Sequence, residues 1–141
     1  MRTLLALMFL ACAGAAPALE MARGLAASGA PQLALARVEQ MQPREPSAPR
    51  WAEWETLRLA LLVELERHDE ALKRAAALPD NAPPAALRSC LLSAARSAVA
   101  VGQGARARTY AARVLWQLDP APAEIRAARS EERRVGKECR L

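Results

Sequence analysis

The chain matches itself when shifted by 36 residues, and that self-similarity constrains its fold more than any single motif. At this offset Glu66 falls on Gly102, Ala71 on Ala107, Ala75 on Ala111 and Leu78 on Val114. In the preceding stretch Leu59 falls on Ala95 and Leu62 on Ala98. A shift of 37 adds an earlier copy, with Gly29 on Glu66, Ala34 on Ala71, Val38 on Ala75 and Met41 on Leu78. A fixed period in this range marks arrays of supersecondary units, each of which buries its apolar face only by stacking on its neighbours.

Turn chemistry divides each unit into two helices. Short turns are expected at Ser28-Gly29-Ala30-Pro31, Glu66-Arg67-His68-Asp69 and Gly102-Gln103-Gly104. Glycine ends a helix at low steric cost, Pro31 suits the first position of the next, and Asp69 is a candidate N-cap. Pro-bearing linkers at Gln42–Pro49, Pro79–Pro84 and Asp119–Pro122 separate the units, because proline inside a helix loses a hydrogen bond. Helices are therefore expected roughly over 19–28, 31–42, 50–66, 69–78, 84–101 and 104–118, with another starting near Ala123. Ala and Leu dominate and aromatic residues are only 4%, too few β-formers for a sheet. The fold class is all-α, built of antiparallel helix-hairpin repeats. In the third helix Trp54, Leu57, Leu61 and Leu65 share one stripe facing the core.

The run Gly102, Ala107, Ala111, Val114, then Asp119-Pro120, resembles the tetratricopeptide repeat, as does Glu66-Arg67-His68-Asp69-Glu70-Ala71 at the turn opening a second helix. The units are two or three residues longer than that family's, and Ala75 and Ala111 stand at its aromatic positions. The resemblance implies a concave surface made by the first helix of each hairpin, where ligands dock. Carried over residue by residue, that surface includes Glu53, Thr56, Ala60 and Glu64 from one unit and Ser89, Leu92 and Arg96 from the next. Their small and polar character suits an extended peptide.

Both ends of the sequence carry other signals. After Met1-Arg2, the apolar run Thr3–Ala15 is about thirteen residues long and is followed by Ala16-Pro17-Ala18. It is too short to span a bilayer, which takes about 20 apolar residues, and it reads as a signal peptide over 1–18. Cleavage is expected after Ala18, with Ala15 as the second choice. Cys12, preceded by Phe9-Leu10-Ala11, is the alternative lipidation point of a lipoprotein. At the other end, Arg129–Leu141 (RSEERRVGKECRL) back-translates to a string that resembles a common short-read sequencing adapter, with only Leu141 departing. The helical-repeat domain is thus expected over 19–128: about three hairpins and the start of a fourth.

Removing those segments changes what the charge implies. The whole chain carries 20 basic and 15 acidic residues, net +5, but Leu19 to Ala128 carries 14 and 12, net +2. Nucleic-acid binding needs clustered cations interleaved with aromatic or groove-reading groups, and this balance argues against it. If Cys139 is adapter, Cys90 is the one cysteine of the mature domain, expected as a small buried hydrophobe.

No catalytic pattern emerges. His68 is the single histidine and falls in a turn, without a second histidine for a metal or a nucleophile to activate. Gly102-Gln103-Gly104 lacks the strand and the Lys-Ser/Thr of a phosphate loop. Glu66, Glu70, Lys73 and Arg74 read as a solvated helix face, as do Arg106, Arg108 and Arg113 around Tyr110. Trp51, Trp54 and Trp116 are expected to fill gaps between repeats. Neither an enzyme, a cofactor nor a metal is expected. The reading is an exported periplasmic scaffold for a protein or peptide partner, touching the membrane only through its signal peptide. Ala, Arg, Pro and Gly richness, together with the leader, suggests a Gram-negative bacterium with a GC-rich genome. The alternatives are the helical arm of a larger envelope protein, either a cell-wall lytic enzyme or an outer-membrane exporter, and a lipid-anchored assembly lipoprotein.

Overall fold

Three turns with one hydrogen-bond plan organise the molecule. In a computed structural model that describes residues 17–119 and 122–138, the backbone N–H groups of Ala30, Arg67 and Gln103 donate to the carbonyls of Leu25, Leu62 and Ala98 at 3.0, 2.8 and 2.7 Å. One residue earlier, Gly29, Glu66 and Gly102 donate to Ala26, Val63 and Val99 at 3.1, 3.1 and 3.0 Å. This paired closure of a helix C-terminus requires a left-handed residue, and the three φ values are 80°, 58° and 71°. The 37- and 36-residue offsets of the sequence therefore recur in the backbone. Glycine satisfies the requirement twice; Glu66 meets it with a side chain attached.

Seven helices make up the described residues: α1 (17–27), α2 (Pro31–Met41), α3 (Trp51–Glu64), α4 (His68–Ala76), α5 (Pro84–Ala100), α6 (Gly104–Gln117) and α7 (Pro122–Glu138). Pro31 and Pro84 occupy the first turns of α2 and α5, where a missing N–H costs nothing. In α4 the acids Asp69 and Glu70 lie at the N-terminal end and Lys73 and Arg74 at the C-terminal end, as the helix dipole favours. His68 is already helical and Arg67 takes the N-cap position, so Asp69 is not the cap. Leu65, expected inside the third helix, is its C-cap, and Glu66 begins the turn expected at Glu66-Arg67-His68-Asp69.

Each helix packs on its chain neighbours, and α3 also packs on α5, as α5 does on α7. The result is an all-α fold of stacked antiparallel hairpins. Small residues allow the close approach. Ala34, Ala71 and Ala107, equivalent through the repeat, are fully or almost fully buried, as are Val38, Ala75 and Ala111. Leu59 and Leu62 are buried with their counterparts Ala95 and Ala98. Trp54 and Leu61 lie in the core, with Leu57 and Leu65 packed at its margin. A second buried row, Trp51, Glu55, Leu59 and Leu62, runs beside that stripe because α3 is contacted by α2, α4 and α5.

A smaller cluster of Leu91, Leu92, Ala111, Val114 and Ala128 joins α5, α6 and α7. The helix begun at Pro122 continues without a break through 129–138. Val135 closes over Gly104, where an added Cβ would lie 2.8 Å from its Cγ1, so a larger residue at that start of α6 would force Val135 to shift. Residues 1–16, including most of the apolar leader and Cys12, lie outside the described residues, as do 139–141.

Candidate functional site

The residues assigned to the concave surface separate into three groups. Glu53, Thr56 and Ser89 come together in a shallow hollow of about 360 Å³, between α1, α3 and the start of α5. Its floor and rim are made of small or apolar groups, chiefly Ala52, Leu57, Pro83, Ala85 and Ala86. Ala60, Glu64 and Arg96 are exposed but lie outside this hollow. Leu92 belongs to the core between α5 and α6, because α7 and α6 complete the cover over that face; it is a packing residue and offers no surface.

The hollow is polar at one end only. There Glu53 accepts from Arg50 Nε at 2.8 Å, Arg50 Nη2 at 2.9 Å and Arg23 Nη2 at 2.9 Å. Glu20 joins the cluster, accepting from Arg23 at 2.8 Å and Arg50 at 3.2 Å, which ties α1 to α3. Hydrogen bonding from Arg50 pushes the Glu53 carboxyl down to about 2, against the opposing effect of its partial desolvation. The hydroxyls deeper in the hollow donate to their own helices: Thr56 to the Ala52 carbonyl at 2.8 Å and Ser89 to that of Ala85 at 3.2 Å. Each hydroxyl oxygen keeps acceptor capacity beyond the bond it donates. Such a surface can take small side chains and the N–H groups of an extended chain.

Cys90 lies beneath this floor, with Thr56 Oγ1 3.8 Å from its Sγ. Burial pushes the thiol up to about 12, so it is not a nucleophile at neutral pH. His68 is half-buried rather than a free turn residue, with Nδ1 3.4 Å from the Oγ of buried Ser97. Trp51 and Trp54 are buried as expected of gap-fillers, whereas Trp116 is 81% exposed beside Ile125 and does not fill a gap.

A second hollow, of about 550 Å³, was not legible as a site from the sequence. It opens between the C-terminal halves of α2 and α4 and the first half of α3. At its base sits Glu55, only 1% exposed. Arg74 reaches it from α4 through two parallel hydrogen bonds, Nε to Oε1 at 2.7 Å and Nη2 to Oε2, and the Gln42 amide donates to the same carboxylate. Arg58 donates to Gln42 Oε1 at 3.1 Å and to Glu39 Oε1 at 3.3 Å. Burial, then the neighbouring Arg74 charge, pulls the Arg58 guanidinium below its ordinary range. The sequence pattern puts Arg74 on a solvated face, yet its partner is 19 residues away on another helix. The available signal was register, since Glu55 stands four residues after Trp51 and four before Leu59, on the buried row.

No family model, no curated protein and no solved structure matches the chain. Among the described residues no three His, Cys, Asp or Glu side chains gather to hold a metal ion. No helix among them is long and apolar enough to cross a membrane.

Proposed function

We propose that the chain is a tetratricopeptide-like scaffold of the periplasm that holds an extended segment of a protein partner and performs no chemistry on it. The observation that carries this reading is the hollow shared by α3 and α5, the first helices of successive hairpins, where Thr56 and Ser89 stand over a floor of alanines. The three equivalent turns and the alanines at 34, 71 and 107 support the repeat type. Export rests on the apolar run after Arg2 and the small residues that follow it. Pro17 and Ala18 form part of α1, and Ala18 is buried. Cleavage after Ala15 keeps both in the mature chain, so N-terminal sequencing of the secreted form is expected to read Ala16 first.

Selection of a random peptide library on the immobilised chain tests the binding reading. The enriched peptides should lose at least tenfold in affinity when Ala86→Trp fills the hollow, and should be insensitive to Ala60→Trp on the exposed face of α3. Peptides that bind equally well to the filled variant would show that this hollow is not the docking surface. Failure to enrich any peptide would remove the scaffold reading.

A further inference from the structure

The hollow built on Glu55 has more positive charge than its own carboxylates use. Four cations line it, Arg44, Arg58, Lys73 and Arg74, against two carboxylates, Glu39 and Glu55. Arg74 is committed to Glu55. Arg58 donates to the neutral Gln42 amide oxygen, and its only carboxylate is the long 3.3 Å contact of Glu39, which it shares with Arg67 at 3.8 Å; its Nε is buried without a partner. Arg44, in the linker, makes no hydrogen bond or ion pair among the described residues. Lys73 forms no ion pair and feels Glu70, one turn earlier, only through space.

We infer that this hollow is a docking site for an acidic segment of a partner protein, one presenting two or more carboxylates. The chemistry is set by what the cations already hold. Glu55 and Glu39 show that the guanidiniums here are arranged for carboxylates, the pairing for which a planar fork is suited. An incoming carboxylate replaces the loose Glu39 contact on Arg58. A second meets Arg44 or Lys73, which line the same hollow. Glu55 serves as a positioning residue: by holding Arg74 at the base of the hollow it keeps a second guanidinium beside Arg58, where desolvation makes each charge interact more strongly than in bulk water. The surface belongs to the ends of α2 and α4, away from the hollow shared by α3 and α5, so this inference stands or falls separately from the peptide groove.

The test uses the full chain and a fluorescein-labelled hexaglutamate peptide, read by anisotropy at low ionic strength. Hexaglutamate is expected to bind with an affinity that falls steeply with added salt, while hexaglutamine does not bind. Arg44→Glu combined with Lys73→Glu should weaken binding at least tenfold, with the helical circular dichroism unchanged because neither side chain has a structural partner. Arg106→Glu with Arg108→Glu, an equal change in net charge on α6, should leave affinity within twofold. Equal weakening by both pairs would reduce the effect to net charge and overturn the site. Absence of hexaglutamate binding would overturn it as well. Displacement of the peptide by equimolar inorganic phosphate would replace the acidic-segment assignment with a phosphate site.

Discussion

The second and third hairpins have the same backbone and opposite interiors. Through the 36-residue offset Glu55 corresponds to Leu91 and Arg74 to Tyr110. In α3 and α4 the pair is a carboxylate 1% exposed and a guanidinium bound to it in parallel; in α5 and α6 it is a buried leucine and a half-buried tyrosine. Yet the turns that join each pair of helices share their hydrogen bonds, and the alanines at 71 and 107 are buried alike. The hairpin is therefore specified by turn geometry and by small residues at the closest approach. What fills the adjacent position is free to vary. A leucine and a tyrosine occupy those positions in the third hairpin, so the hairpin backbone does not by itself demand an ion pair there. That is why the charged hollow above it reads as a site.

The largest expected effect comes from forcing the third hairpin to resemble the second. Leu91→Glu places an unpaired carboxylate in the apolar cluster of α5 and α6 and should cost about 4 kcal/mol, measured by urea unfolding followed at the helical band. Adding Tyr110→Arg supplies the partner that Arg74 provides and should return about half of the loss. A single substitution costing under about 1 kcal/mol would mean that water reaches this cluster and that the two interiors differ less than they seem.

The reverse exchange should be gentler. Glu55→Ala leaves Arg74 and Arg58 side by side without the carboxylate between them, an expected loss of about 3 kcal/mol. Glu55→Leu with Arg74→Tyr, which copies the third hairpin, should lie within about 1 kcal/mol of the natural chain or above it. If the double variant is as unstable as the single one, the pair is a structural requirement of the second hairpin and the contrast loses its functional meaning.

These contrasts also explain what could be read in advance. Helix ends were legible because glycine and proline act locally. Gly29, Gly102, Pro31 and Pro84 each stand where the backbone needs them, and the boundaries follow within two or three residues. Repeat-equivalent alanines were legible because close helix packing tolerates little else. The Glu55 network was not, since its partners Arg74 and Gln42 lie on or just after other helices, and a charge among charges looks solvated until a neighbour covers it. Leu92 and Trp116 failed for the same reason in opposite directions. One is covered by α6 and α7, and the other faces outward beyond the last described stack. The hollow under Thr56 and Ser89 was half legible: the tetratricopeptide resemblance implied one surface for those residues, but only the packing of α3 on α5 separates them from Ala60, Glu64 and Arg96.

The turns allow a finer comparison, at the closing turn where the second hairpin departs from its neighbours in backbone cost. Glu66 holds φ 58° where Gly29 and Gly102 hold 80° and 71°. A left-handed residue with a Cβ costs roughly 1–2 kcal/mol, partly offset by the greater freedom that glycine has in the unfolded chain. Glu66→Gly should thus raise stability by about 0.5 kcal/mol, and Gly102→Ala should lower it by about 1 kcal/mol, both measured by thermal unfolding. A destabilising Glu66→Gly would show that the side chain contributes an interaction at the turn that outweighs the strain.

The smallest expected effect concerns the surface pair at the mouth of the peptide hollow, where the repeat sets Glu53 against Ser89. The Glu53 carboxyl is pushed from 4.5 to about 2 by Arg50 and Arg23, so the folded chain binds a proton there less readily than the unfolded one. Its contribution is complete above the unfolded value and is lost as pH falls through the folded value. Because the carboxylate is 41% exposed and screened by solvent, the amount is on the order of 0.5 kcal/mol. Melting temperatures taken between pH 5 and pH 2 should therefore fall slightly less steeply for Glu53→Gln than for the natural chain, and the difference should vanish in 1 M salt. Ser89→Ala, lacking any charge to titrate, should run parallel to the natural chain across the same range. A Glu53→Gln curve that also runs parallel would mean that the cluster joining α1 to α3 is held by packing of Leu19 and Ala22 alone, with its arginines ornamental to stability and available to a ligand.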